Sequence, residues 1–368
     1  MKIEEIIMKT IFEHVEKKAN EGQLDEEQVK ELIDAAIKAA TTDGLISISS
    51  FLADTLRKQI PEMVAQERAL QEEFEQRLYE RWKKALDLYD AVIMLTTECG
   101  ELFVKQHDAK AAMDKDNVFS AIKSIHLKAC QTSLAIGALL KSGYARDALA
   151  RQRTLHELAS TALFIQKHGQ ETAERYWLHN VIVSYKAALQ YEQYYKRLGY
   201  APQDPAKFDQ LRSERDALIS RFGTGFKEQY GWAIKAVDKE RVTFADIEKD
   251  VQLDHLRPYY QMTSYGVHAN SKGLIVDAGN PYIDIPGYQP MIFAGASNAG
   301  LAEPGQSALI SLYQCTVAFL TYKNDLDTLM KLQVLDSFVH EACQAFIEIH
   351  LQLKCEEEER IKAMQIQA

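Results

Sequence analysis

Paired cysteines are missing from this chain. The five in its 368 residues, Cys99, Cys130, Cys315, Cys343 and Cys355, stand singly with no C-x-x-C pair. That excludes a disulfide framework and a zinc ribbon as organising devices, and the five read as reduced thiols. Excess positive charge is also missing: the formal net charge is −10, which argues against non-specific affinity for nucleic acid or an anionic membrane and gives no strong DNA-binding signal. No uncharged run is long enough to span a bilayer, so no membrane association is expected. The opening segment MKIEEIIMKTIFEHVEKK interleaves acids with its apolar residues and lacks a signal-peptide core; the expected location is cytoplasmic.

Two further absences narrow the chemistry. Gly295, Gly300 and Gly305 are not a phosphate loop, because no Gly-Lys-Ser/Thr follows and no strong parallel strand precedes them. A metal site is not signalled either. His340, Cys343, His350 and Cys355 cluster in sequence, but on one helix His350 points roughly 80° away from His340. Glu98, Glu101 and Glu157 lack the Glu-x-x-His pair of a di-metal carboxylate centre. No metal and no cofactor are expected.

With 46% hydrophobic and 26% charged residues, the chain can bury a large core and is not disordered. The expected fold class is mainly α, a multi-helix bundle with one small β hairpin or flap near 274–294. Residues 1–60 read as an N-terminal appendage of short amphipathic helices, broken at Asn20-Glu21-Gly22 and Thr41-Thr42-Asp43-Gly44. Residues 61–335 read as the helical core domain and 336–368 as a C-terminal helix and tail.

Within the core domain, a long helix from Pro61 to about Lys105 carries Leu70, Phe74, Leu78, Trp82, Leu86, Tyr89 and Ile93 as a stripe at three- and four-residue steps. HDAKAAMDKDN reads as a loop. A helix from about Val118 to Leu140 follows, whose Ala129, Ala135 and Gly137 would permit close approach of a neighbour. Lys141-Ser142-Gly143 turns it into the next helix, making an αα-hairpin. A break at Gly169 precedes an aromatic-rich helix to about Leu198, and a further helix spans Ala206–Lys235 with a kink near Gly223-Thr224-Gly225. Only between Leu274 and Phe293 does the period change, to short β-type runs punctuated by prolines. Pro304 then sits near the start of an apolar helix.

The stretch Gly143 to Gly169 is the one around which the rest is read as organised: apolar residues recur at helical steps, yet Arg153 and Glu157 interrupt them four apart, one turn above the other. If that face is covered, the pair is desolvated. Its plainest role is a structural ion pair, since buried charges occur paired for that reason alone. A second such segment is HLRPYYQMTSYGVHANSKG, where Tyr260, Ser264 and His268 fall at successive four-residue steps and share a face. The two polar faces are expected to meet, with Arg153, Glu157, Tyr260, Ser264 and His268 as one binding or structural cluster.

Trp82 in a long leading helix, the phrases SGYARDALARQRTLHELA and YYQMTSYGVHANS, and the later FAGASNAGLAEPGQSALISLYQ together resemble a family of mostly bacterial helical proteins known as domain of unknown function 5677. The resemblance covers about residues 70–335. It implies a helical fold and candidate positions, the Arg153/Glu157 and Ser264/His268 pairs, but no reaction.

Two functions compete. One is a scaffold, sensing or small-ligand-binding protein built around the polar cluster, plausible as a homodimer. The other is a metal-independent ribonuclease similar to the HEPN helical nucleases, whose motif is an arginine followed four to six residues later by a histidine. Arg151 and His156 have that spacing, with His268 as a further catalytic candidate and RNA as the partner; histidine and arginine would supply a group titrating near neutrality and a cation for developing phosphorane charge. Against it, residues five apart on a regular helix point roughly 140° from one another.

Overall fold

The computed structural model describes residues 43–267, 271, 295–323 and 325–367. The described residues are overwhelmingly α-helical, with short 3₁₀ turns and no strand; the mainly α class is therefore the observed one. The expected flap at 274–294 lies outside the described residues. None of the described helices is long and apolar enough to cross a membrane.

The chain divides into two compact units, 1–76 and 77–368. In the first, the described residues are the leading part of helix α1, Asp43–Met113. The break read at Thr41–Gly44 does not extend past Asp43, which opens the helix, and Pro61 lies inside it, where it forfeits one backbone hydrogen bond. No described side chain between 49 and 76 is buried; Arg57 pairs with Asp54 at 2.5 Å and Leu70 is exposed. The local ion pairs and amide contacts of this stretch are those of a solvated helix.

In the second unit the apolar stripe takes effect: Leu78, Trp82, Leu86, Tyr89 and Ile93 are buried. The segment read as a loop at 107–117 is helical to Met113, because Phe103 and Ala111 are buried along it. Only Asp114–Asp116 intervene before α2, Asn117–Lys141, where the Asp116 carboxylate caps the helix by accepting from the Phe119 N–H at 2.9 Å. Gly137 is the close approach expected of it, since a Cβ there would sit 3.0 Å from the Tyr89 ring. Ala135, read the same way, is exposed instead.

Helix α3, Ala145–Tyr194, completes the αα-hairpin and is interrupted at Gly169 (φ 77°, ψ −157°), a conformation that only glycine adopts without strain. Helix α4, Pro205–Phe222, ends well short of Lys235. The chain instead folds back through two 3₁₀ turns and the single-turn α5, Ile234–Val237, burying Phe226 and Trp232. Arg175 of α3 holds this turn: its guanidinium donates to the Gly231 and Trp232 carbonyls and stacks 4.6 Å from the Phe222 ring. Burying two large aromatic side chains, each worth roughly 1.5–3 kcal/mol, outweighs what a few more helical residues would contribute.

Helix α6, Phe244–Asp250, starts in a capping box between Thr243 and Asp246, and α7 is Arg257–Val267. Helices α8, Ala302–Leu320, and α9, Leu326–Gln367, close the unit; the expected boundary at 335/336 falls inside α9. Trp82 and Tyr89 pack on Phe346, while Phe103, Phe119 and Phe319 form a second aromatic cluster. The loop before α8 is pinned twice, by Trp82 Nε1 to Asn298 Oδ1 at 2.8 Å and by the Ser297 N–H to the Gly143 carbonyl at 2.9 Å. That pinning sets where α8 begins.

Candidate functional site

The first half of α3 and the stretch Tyr260–Ser264 of α7 bring polar residues together. Arg153 donates from Nη1 to Ser264 Oγ at 2.9 Å, from Nη2 to the Tyr260 hydroxyl at 2.7 Å and from Nε to Glu157 Oε1 at 3.2 Å. The Tyr260 hydroxyl in turn donates to Glu157 Oε1 at 2.6 Å. Burial opposes the Arg153 charge, but its bonds to Glu157 and Tyr260 hold the guanidinium above its ordinary pKa. Burial and the Glu157 carboxylate both push the Tyr260 phenol upward, so it stays protonated as a donor. The Arg153 and Glu157 side chains are 25% and 37% exposed, so the pair is shielded without being sealed.

A second polar set adjoins the first through the Tyr260 ring. Arg153 lies 4.5 Å from the ring centroid and Arg257, from the start of α7, lies 5.0 Å from it. Arg257 also pairs with Glu248 of α6, whose side chain is fully buried. The other Glu248 oxygen bonds His156 Nε2 at 2.9 Å, and the His156 ring packs edge-on to Phe244. A buried carboxylate is tolerable only with such partners.

Both sets border a cleft of about 490 Å³ whose wall includes Gln152, His156, Tyr260, Glu303, Gln306 and Ser311. Gln152 and His156 are among the buried polar residues of the protein, and Gln152 is held by two long bonds, Nε2 to the Ser307 carbonyl at 3.4 Å and to Ser311 Oγ at 3.3 Å. Burial raises the Glu303 carboxyl above its usual range, a rise that the nearby Arg146 charge partly offsets. The arrangement can hold a small molecule against polar groups that are already positioned; among the described residues no three potential ligands converge for a metal.

Of the residues picked from sequence, Arg153, Glu157, Tyr260 and Ser264 form one network. His268 lies outside the described residues. Arg151 and His156 share no contact: Arg151 is exposed, whereas His156 is buried against Glu248. Glu248, Arg257 and Glu303 were missed. For Glu248 a signal existed, since it follows Phe244 by four and Ile247 by one, on the apolar stripe of α6 where an acid needs a buried partner. Arg257 and Glu303 carried none, being ordinary first-turn residues of their helices.

Residues 119–281 match a family model described as Family of unknown function (DUF5677). The match confirms the resemblance read from sequence over a shorter span, one that takes in α2, α3, α6 and α7 and hence both halves of the polar network. No curated protein and no solved structure matches the chain.

Proposed function

We propose that this is a small-ligand-binding helical protein, with the cleft between α3, α7 and α8 as its binding site and the Arg153/Glu157/Tyr260/Ser264 network as the support that fixes one wall. The observation that carries this reading is the pair Gln152 and His156, two buried polar side chains lining a cleft of about 490 Å³. Binding pockets commonly measure about 300–1,000 Å³ and set a few fixed polar groups in a largely apolar wall. A purely structural role accounts for Arg153 and Glu157, which satisfy one another. It accounts poorly for Gln152, a buried amide left with two bonds near the limit of hydrogen-bond length.

The alternative, metal-independent RNA cleavage, requires Arg151 and His156 at one phosphate. An exposed Arg151 and a His156 bound to Glu248 favour ligand binding instead. The test is thermal unfolding of the full chain against a panel of small metabolites, repeated with Ser307→Trp, which fills the cleft. The expected result is a stabilised melting temperature with at least one compound that disappears in the variant. A panel with no stabilising member, or stabilisation that survives Ser307→Trp, removes the proposal.

A further inference from the structure

The carboxylate and the aromatic face on the cleft wall point to a ligand class, an inference that rests on the binding-site reading above. Both amides on its wall donate to the protein: Gln152 to the Ser307 carbonyl and Ser311 Oγ, Gln306 to the Ala302 carbonyl at 3.1 Å. Each amide keeps its carbonyl oxygen, an acceptor, and Gln306 keeps one N–H besides. The third group is Glu303, a half-buried carboxylate to which no described residue donates a hydrogen bond. Among the described residues of the wall, Glu303 is the one carboxylate.

The charges around the cleft agree. Arg153 and Arg257 are neutralised by Glu157 and Glu248, and His156 is bound to Glu248. The nearby Arg146 charge lowers the Glu303 carboxyl without cancelling the rise due to burial. His350, at the rim, is exposed. Glu303 also occupies the first turn of α8, the helix end that would otherwise attract an anion. The Tyr259 ring, on the cleft wall and exposed, has no ring or cation contact among the described residues, unlike that of Tyr260.

We propose that the cleft takes a small organic cation, an amine or amidinium, with Glu303 as its counter-ion, the Gln152 and Gln306 carbonyls as acceptors and Tyr259 as a π face. A carboxylate gains most from a donor that carries charge, and an aromatic face adds to the attraction for a cation. Neutral polyols would leave the carboxylate unpaired. An anionic ligand would meet it head-on.

The experiment is calorimetric titration of the full chain with three probes of similar size: agmatine as the cation, glucose as the neutral polyol and citrate as the anion. Agmatine is expected to bind, to lose at least tenfold in affinity in Glu303→Gln, and to lose binding altogether in Ser307→Trp, with both variants retaining the parent circular dichroism spectrum. No agmatine binding, or less than a tenfold loss in Glu303→Gln, overturns the cation assignment. Glucose or citrate binding that Ser307→Trp abolishes, with agmatine inert, overturns it while leaving the cleft as a ligand site. Agmatine binding that survives Ser307→Trp overturns both.

Discussion

Two buried histidines lie on adjacent helices of one hairpin and are treated in opposite ways. His126 of α2 is packed against the Phe319 ring, with Thr316 Oγ1 at 3.3 Å and the Cys130 sulfur at 3.9 Å, and burial drives its pKa down to about 4. His156 of α3 faces a fully buried carboxylate that also holds an arginine. The first region is an apolar core that excludes charge. The second imports charge and compensates it, at the edge of a cleft. A core needs no compensated charges to be stable, and uncompensated ones damage it, so polar groups arranged this densely mark the place where the fold accepts a cost in stability for position.

The sharpest way to break the comparison is to remove one partner of the buried carboxylate. Arg257→Met leaves Glu248 without its cation and is expected to cost roughly 3–5 kcal/mol of stability, while Arg257→Met with Glu248→Leu costs clearly less. Denaturant unfolding of the four chains, Glu248→Leu alone included, measures it. Additive costs would mean that the two side chains act independently, and the second region would then be no different from a surface.

The apolar region answers to pH. The folded His126 has its pKa depressed to about 4 from 6.5, so between those values the unfolded chain binds the extra proton, and stability rises with pH across that window. It is fully present above about 6.5 and is lost as the pH falls toward 4, by about 3 kcal/mol. Chemical denaturation at pH 7 and pH 4.5 should show the drop, and His126→Leu should flatten this part of it. An unchanged slope in the variant would assign the titration elsewhere.

The smallest effect belongs to the network on α3 and α7. Because the Arg153 and Glu157 side chains are 25% and 37% exposed, solvent screens the pair. Arg153→Met and Glu157→Leu are each expected to cost on the order of 1–2 kcal/mol, below what a sealed pair would show, with a double mutant less costly than the sum. A cycle with no coupling would detach the Arg153 network from the fold.

The polar network shows what local pattern can reveal. Arg153 and Glu157 stand four apart among apolar residues, as do Tyr260 and Ser264, and each pair could be placed on one helix face from spacing alone. That the two faces touch follows from satisfaction, because neither could be covered by an apolar neighbour without stranding its hydrogen-bonding groups. Glu248 could have been added by the same reasoning. For Arg151 and His156 the spacing already pointed the other way, since five residues on a helix set them roughly 140° apart, and the helix turns Arg151 to solvent.

The sequence by itself determined the mainly helical class, the turn at Gly143, the break at Gly169 and the stripe from Leu78 to Ile93, because each depends on backbone preference or on a repeat within one helix. Tertiary structure alone decided where helices stop when packing competes. α1 continues to Met113 over buried Phe103 and Ala111, and α4 ends at Phe222 so that Phe226 and Trp232 can be buried around Arg175. It alone also decided the cleft. That space exists because Trp82 and the Gly143 turn pin the loop before α8, setting Glu303, Gln306 and Ser311 opposite Gln152 and His156. Contacts between residues more than a hundred positions apart leave no periodicity in the chain, and only the closing of the bundle brings them together.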